Sequence, residues 1–299
     1  MTINTRRSYA QAVKRLVDFC STYSLPPLPL TELLLLRFIA YLHTINFSPS
    51  TVKVHLAAIR AWAIALGMDP PDLYSQRVRW ALRSFARSAP PPSRVPPLTY
   101  QMLNSIFKSL SYSYTNLMHF TAMTLAYYGC MRSSEYCPSQ GSIPLTPSSL
   151  RFVSSTPPYM VVSVPRSKTS PHGYTVVIGC SESAVCAYCS MLNYLSHRRA
   201  SHSAPLFIYQ SGVPLTHSNF TMAIRQMLSA AGLPSLHFTP HSIRAGAATD
   251  AHRAGAPDSA IQRLGRWTSS AYQLYLRPSQ AQQARTSRWL AASQGPLTS

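Results

Sequence analysis

Residues 239–249 read TPHSIRAGAAT and form the most informative stretch of the chain. A threonine followed by proline is a typical helix start, so we predict a helix over 239–254. His241 and Arg244 share one face of its first turn, where free backbone N–H groups and the helix dipole favour an anion. The pattern therefore predicts a phosphate-binding position. The alternative is an ordinary capped helix with an exposed arginine and a half-buried histidine.

A second stretch, about twenty residues further on, contains two tyrosines. Residues 264–277 read LGRWTSSAYQLYLR. Tyr272 and Tyr275 are three apart, which predicts that they lie on one helical face beside arginines. A phenol among cations is a candidate nucleophile toward a phosphate. The alternative is an amphipathic helix that packs both rings.

Two earlier stretches each contribute a cation. Residues 127–135 read YYGCMRSSE, so an apolar helix ends in a glycine-containing turn that presents Arg132, and Glu135 is its potential ion-pair partner. Residues 166–173 separate two stretches rich in β-branched and aromatic residues, which predicts a hairpin with Lys168 at its turn. A solvated turn lysine is the alternative for Lys168.

Composition narrows the class of partner. The chain has 299 residues, with 27 Lys and Arg against 8 Asp and Glu, a formal charge of +19. A hydrophobic share of 46% excludes wholesale disorder. The charge favours a polyanion, and the apolar stretches are too short to predict a membrane span. The predicted partner is therefore nucleic acid or an anionic membrane surface.

The predicted fold is mainly α-helical, with a small antiparallel β-sheet and two domains. Helical patterns fill the first third of the chain and then stop at a proline-dense run over 89–97. The second part combines further helices with the hairpin. The sequence therefore predicts a helical domain over 1–88, a linker over 89–97 and a mixed domain over 98–299.

Basic residues recur on one face of two helices in the first domain, with no acid to pair them, and such stripes track phosphates. The candidate DNA-binding residues are Lys53, Arg60, Arg79, Arg83 and Arg87. A solvated basic face is the alternative.

Six cysteines are too few for a disulfide scaffold in a chain of this length. Cys186 and Cys189 form one C-x-x-C pair, with Cys180 before it and His197 after it. Zinc is one interpretation. We favour the other, in which a helix over 183–197 buries its cysteines as small apolar side chains, and we predict no metal site.

Taken together and in this order, the four stretches resemble the tyrosine recombinase (phage integrase) family. The resemblance implies a SAM-like core-binding DNA-binding domain over 1–88 and a catalytic domain over 98–299 that ends in a tail helix. The Gly-Arg-Trp before Tyr-Leu-Arg further resembles recombinases of eukaryotic Crypton and DIRS mobile elements and Cre-like enzymes.

The resemblance also implies roles for single residues. Trp267 matches the position that holds His or Trp in the family, although spacing leaves Arg266 as an alternative. Tyr275 matches the nucleophile, and Tyr272 is its rival. Glu135 matches a supporting acid. The implied catalytic set is Arg132, Lys168, His241, Arg244, Trp267 and Tyr275.

The implied function is site-specific cleavage and rejoining of DNA through a covalent 3′-phosphotyrosine, without metal, ATP or cofactor. Two arginines suit the charge that grows on the phosphate oxygens. The implied partners are double-stranded DNA and further copies of the chain, four on DNA, with neither a membrane nor a small-molecule substrate. The location is the nucleus if the source is eukaryotic, and otherwise the cytoplasm or nucleoid. The alternatives are a DNA-binding protein of this fold without strand transfer, and a type IB topoisomerase.

Overall fold

The chain divides into two units, residues 1–94 and residues 95–299, and the division falls within the proline-dense run. The computed structural model describes residues 3–73, 75–90, 95–138, 143–165, 170, 172–276 and 284. In those residues, no helix combines the length and apolarity needed to span a bilayer.

The first unit is built from α1 (Ile3–Thr22), α2 (Glu32–Thr44), α3 (Pro49–Ala65) and α4 (Gln76–Ser88). Helix α1 packs on α3 and α2 on α4, and their apolar faces form one buried core that includes Leu16, Phe38, Leu42 and Ile59.

Hydroxyl side chains start these helices by accepting the backbone N–H groups that the first turn leaves unpaired. Thr31 caps α2, and Ser48 followed by Pro49 starts α3, patterns that are typical of helix starts. Helix α4 begins at Gln76. Ser75 caps it, because its hydroxyl accepts from the Val78 N–H at 3.3 Å and donates to Glu32 at 2.6 Å.

The second unit contains seven helices within the described residues: α5 (Tyr100–Ser109), α6 (Tyr114–Tyr128), α7 (Ser133–Tyr136), α8 (Ala187–His197), α9 (His217–Ala230), α10 (Pro240–Arg253) and α11 (Asp258–Gly265). Helix α6 is the central element, because every residue from Met118 to Tyr127 is buried. It packs against α8, α9 and α10.

A three-stranded antiparallel sheet completes the second unit, in the order β1 (Leu150–Val153), β2 (Tyr159–Val164) and β3 (Tyr174–Gly179). Strands β2 and β3 form the predicted hairpin, with Val164 opposite Tyr174. Strand β1 was not predicted, because four half-exposed residues carry too short a pattern. The prediction of a mainly helical fold with a small antiparallel sheet is confirmed.

Candidate active site

Helix α10 is held in place by a close backbone approach. It begins at Pro240, as predicted, and the Leu98 N–H donates to the Ser242 carbonyl at 2.8 Å. A Cβ atom on Gly246 would lie 1.7 Å from the Leu98 carbonyl oxygen. Only glycine permits this contact, which fixes the face that carries His241 and Arg244.

Arg244 is the largest buried side chain of the unit, at 1% exposure. Its Nη1 donates to the Cys130 carbonyl at 2.7 Å, and its Nη2 donates to the Gly265 carbonyl. The guanidinium thus joins the turn after α6 to the end of α11. Burial is the main cause that lowers the pKa of Arg244, and the charge of Arg132 acts in the same direction. An arginine still stays protonated at neutral pH.

One buried acid organises two further arginines. Glu135, at 3% exposure, forms ion pairs with Arg132 at 3.3 Å and Arg266 at 3.4 Å. Its carboxylate also accepts the Arg132 backbone N–H at 2.8 Å. Arg244 lies near this pair through the Cys130 carbonyl, to which both Arg244 and Arg266 donate. The cluster of Arg132, Arg244, Arg266 and Glu135 therefore has three positive charges and one negative charge, a local charge of +2. A site with this balance attracts an anion.

Tyr275 lies beside the arginine cluster, against His241 and Trp267. Its hydroxyl is 2.9 Å from Nε2 of His241. Thr249 donates to the Tyr275 carbonyl at 2.7 Å and so fixes the backbone that carries the phenol. The ring of Trp267 is 5.4 Å from that of Tyr275, and the Arg244 guanidinium lies 4.4 Å from the Trp267 ring centre. The phenol therefore rests against both the imidazole and the indole.

The Tyr272 hydroxyl has a different partner. The two tyrosines lie at a 3-10 turn over Ser270–Leu274, with Tyr272 inside it and Tyr275 directly after it, and both rings contact Trp267, at 6.2 and 5.4 Å. Tyr272 is buried with Ala248 and Ile261, and its hydroxyl donates to Asp258 at 2.9 Å. That hydrogen bond is the main cause that raises the pKa of Tyr272, which opposes formation of a phenolate there.

His241 is poised to accept a proton. Partial burial of the ring, followed by the charges of Arg244 and Arg132, lowers the pKa of His241 below its usual 6.5. The imidazole is therefore neutral at pH 7. A neutral ring with its proton on Nδ1 presents Nε2 as an acceptor to the Tyr275 hydroxyl.

Trp267 and Arg266 both belong to the site, at different places. Trp267 contacts Tyr275 and Arg244 directly. Arg266 has a left-handed backbone, φ 55°, and donates to the Gly129 and Cys130 carbonyls at 3.1 and 3.2 Å. The structure thus places Trp267 beside Tyr275. Arg266 instead forms an ion pair with Glu135, the same carboxylate that pairs with Arg132.

An open cavity of about 800 Å³ adjoins the cluster and is lined by Arg132, Ser170, Tyr174, Arg263, Arg266 and Trp267, among others. Lys168 lies outside the described residues, but Ser170, two positions after it, lines this cavity. Three arginines, Arg132, Arg263 and Arg266, line this space, so its positive charge suits a phosphate group.

Sequence reasoning missed three residues that shape the site. Thr249 fixes Tyr275, Asp258 binds Tyr272, and the Tyr174 ring lies 4.4 Å from the Arg266 guanidinium. No local pattern marks them, because each partner is remote in sequence.

The first unit presents the predicted basic face. All five candidate DNA-binding residues are exposed, and Lys53, Arg79 and Arg83 line one groove of about 370 Å³ between α3 and α4. Among the described residues, none of the five forms an ion pair, whereas Arg77 on the other side of α4 pairs with Glu32 at 3.1 Å.

Comparison with known proteins gives a consistent result. The model of the phage integrase family matches residues 97–281. No curated protein sequence matches the chain. The Tn1549 transposon integrase, solved in complex with transposon right end DNA, is similar in structure, with TM-score 0.65, 16% identity and coverage of 98% of this chain and 95% of that one.

Two further solved structures share the fold. The XerH site-specific recombinase bound to difH substrate gives TM-score 0.65, 14% identity and coverage of 94% and 78% of the two chains. A lambda integrase dimer bound to a COC′ core site gives TM-score 0.61, 16% identity and coverage of 93% of this chain and 72% of that one. At these identities the similarity shows the fold.

Proposed function

The chain belongs to the phage integrase family of tyrosine recombinases, enzymes that cleave and rejoin DNA strands, and we propose that it works at specific sites through a covalent 3′-phosphotyrosine on Tyr275. The observation that carries this proposal is the 2.9 Å contact between the Tyr275 hydroxyl and His241, whose ring is close enough to Arg244 and Arg132 to feel their charges. A nucleophile within hydrogen-bond reach of its base is the arrangement that such chemistry needs.

The proposed reaction exchanges one phosphoester bond for another. The Tyr275 oxygen attacks phosphorus as its proton passes to His241. The bond to the 5′ oxygen breaks, and Lys168 is proposed to protonate that oxygen. A 5′ hydroxyl from another strand can then reverse the step and displace the tyrosine. The phosphoester bond is kept throughout, so the proposal includes neither ATP nor a metal ion.

Arginines stabilise the charge that grows on the non-bridging oxygens. Arg132 lines the open cavity, whereas Arg244 is covered by the Trp267 ring. We therefore propose that the phosphate first meets Arg132, and that Trp267 shifts to admit it to Arg244.

The lowered pKa of His241 predicts the pH dependence of cleavage. A base whose pKa lies below 6.5 is mostly neutral at pH 6.5. It becomes protonated as the pH falls further, through its pKa. We expect the single-turnover cleavage rate at subsaturating DNA to hold from pH 8 to 6.5 and to fall below. His241→Asn should cleave more slowly and lose this acidic limb. A limb centred above pH 6.5 in the native enzyme would contradict the assignment.

We propose that the first unit binds the DNA backbone through the groove between α3 and α4. Each lysine or arginine that neutralises a phosphate displaces a counterion. Lys53, Arg60, Arg79, Arg83 and Arg87 supply such contacts, since none of them forms an ion pair within the part of the chain that the structure describes.

The salt dependence of DNA binding tests this face. We expect the double variant Arg79→Ala/Arg83→Ala to bind duplex DNA more weakly and to lower the slope of log K against log salt by about 0.9 per lost contact. Arg77→Ala is the matched control, since it removes one charge from the same helix at a residue already paired with Glu32. Equal slopes for all three proteins would exclude the groove.

Recombination between two duplexes requires four strand cuts, and each chain has one Tyr275. We therefore propose that four copies act together on DNA.

The Gly-Arg-Trp and Tyr-Leu-Arg patterns support a further proposal, that the chain comes from a eukaryotic mobile element and acts in the nucleus.

The decisive experiment begins with selection of bound duplexes from a random DNA pool. The selected site, made with a nick that traps the cut strand, should yield a covalent adduct that survives denaturation and disappears on protease treatment. Binding without an adduct would instead support a DNA-binding protein of this fold. Plasmid relaxation by single chains would support a topoisomerase.

A further inference from the structure

Three of the six cysteines converge on one point of the second unit. Cys180 directly follows β3, Cys186 caps the start of α8, and Cys189 lies in its first turn. The Cys180 sulfur is 3.6 Å from that of Cys186 and 3.7 Å from that of Cys189. All three sulfur atoms lie within 4.8 Å of one another.

These separations match a thiolate zinc site. Zinc is bound tetrahedrally with zinc–sulfur distances of about 2.3 Å, which places sulfur ligands roughly 3.8 Å apart. The structure brings a third sulfur to the C-x-x-C pair. The helix over 183–197 was predicted to bury its cysteines on an apolar face, and Cys186 is indeed buried. However, α8 begins only at Ala187, so Cys180 and Cys186 precede the helix, and Cys189 is exposed.

Backbone donors surround the Cys186 sulfur in a way that suits a thiolate. The Ser181 and Cys189 N–H groups donate to it at 3.4 and 3.5 Å.

We propose that Cys180, Cys186 and Cys189 bind one zinc ion. The fourth position lies on the side of exposed Cys189, open to water. His197 is not a ligand, because it lies at the last residue of α8 and contacts the Tyr112 hydroxyl at 3.1 Å. Binding releases the thiol protons to solvent, so affinity falls as the pH falls.

The ion would act as a structural clip. It would tie the end of β3 to the start of α8 across the loop of residues 181–185. Strand β3 forms one side of the hairpin whose turn contains Lys168. None of the candidate catalytic residues is a ligand, so the site is separate from the proposed strand-transfer reaction.

The metal content of the 299-residue chain tests the proposal. Protein purified with a phosphine reductant from zinc-supplemented cells should contain about one zinc ion per chain, as expected for a single site. Cys180→Ser and Cys189→Ser should lower that content at least several-fold. Cys20→Ala, a cysteine of the first unit's core, is the control and should keep it. Equal zinc content in all four proteins would overturn the proposal.

A spectroscopic titration covers the case in which the variants fail to fold. Native protein stripped of metal should bind one Co²⁺ per chain and develop the intense near-ultraviolet bands of sulfur-to-cobalt charge transfer. Excess zinc should abolish these bands. Reduced, folded protein that shows no such bands on addition of Co²⁺ does not have the site. Either result is independent of DNA cleavage, which the adduct assay measures separately.

Discussion

Tyr275→Phe will abolish the covalent protein–DNA adduct, with a loss of cleavage of at least roughly 10³-fold. The change removes the one atom that attacks phosphorus and leaves the ring in place. Its cost in folding free energy should be small, about 1 kcal/mol or less, because the lost hydrogen bond to His241 is partly exposed. Denaturing gel analysis of a nicked DNA substrate measures the adduct, and urea unfolding measures the stability.

Tyr272→Phe is the matched control, with the same atom removed three residues away. It breaks the hydrogen bond to Asp258 and should lower the free energy of unfolding by about 1 kcal/mol. The adduct should still form. The opposite pattern, in which Tyr275→Phe forms the adduct and Tyr272→Phe does not, would transfer the nucleophile to Tyr272.

The fold was largely predictable because local rules determine most of its elements. Thr31 and Ser48 each stand at the start of a stretch whose apolar residues recur at helical spacing, and each caps a helix there. The prolines of 89–97 cannot continue a helix. Strand β1 and helix α7 escaped prediction because four residues give too little pattern. Their formation depends on partners that the folded unit supplies, such as the pairing of Leu150 with Val162.

The residue types of the site were also predictable, but their arrangement was not. The H-x-x-R spacing places His241 and Arg244 on one face in any helix. By contrast, the hydroxyl partners of Tyr272 and Tyr275 depend on a 3-10 turn and on the position of Asp258. No periodic pattern in the sequence predicts either of them. The division between Trp267 and Arg266 follows from the left-handed backbone at Arg266, which directs consecutive side chains to different partners.

Arg244→Lys should be the second most damaging change, because it affects both chemistry and folding. The guanidinium holds the Cys130 and Gly265 carbonyls and stacks on Trp267. An ammonium group has neither the fork geometry nor the planar face to replace these contacts. We expect the free energy of unfolding to fall by about 2–4 kcal/mol and cleavage to fall by roughly 10²-fold or more.

Arg225→Lys is the matched control. Arg225 lies on α9 of the same unit, and its guanidinium also donates to a backbone carbonyl, that of Phe238 at 3.0 Å. It should retain cleavage. Single-turnover cleavage at a temperature where both variants are folded separates the catalytic loss from the folding loss. Full cleavage by folded Arg244→Lys would show that the bidentate guanidinium is dispensable.

A mixture of two inactive variants then decides whether each active site is built from one chain. The structure places Tyr275 against His241 of its own chain, so an active site needs an intact Tyr275 and an intact Arg244 in the same molecule. Tyr275→Phe mixed with Arg244→Lys supplies both residues only on different molecules, and the mixture should form no more adduct than either variant alone. Recovery of adduct would mean that the phenol crosses to a neighbouring copy on DNA, and the 2.9 Å contact would then describe the chain before assembly.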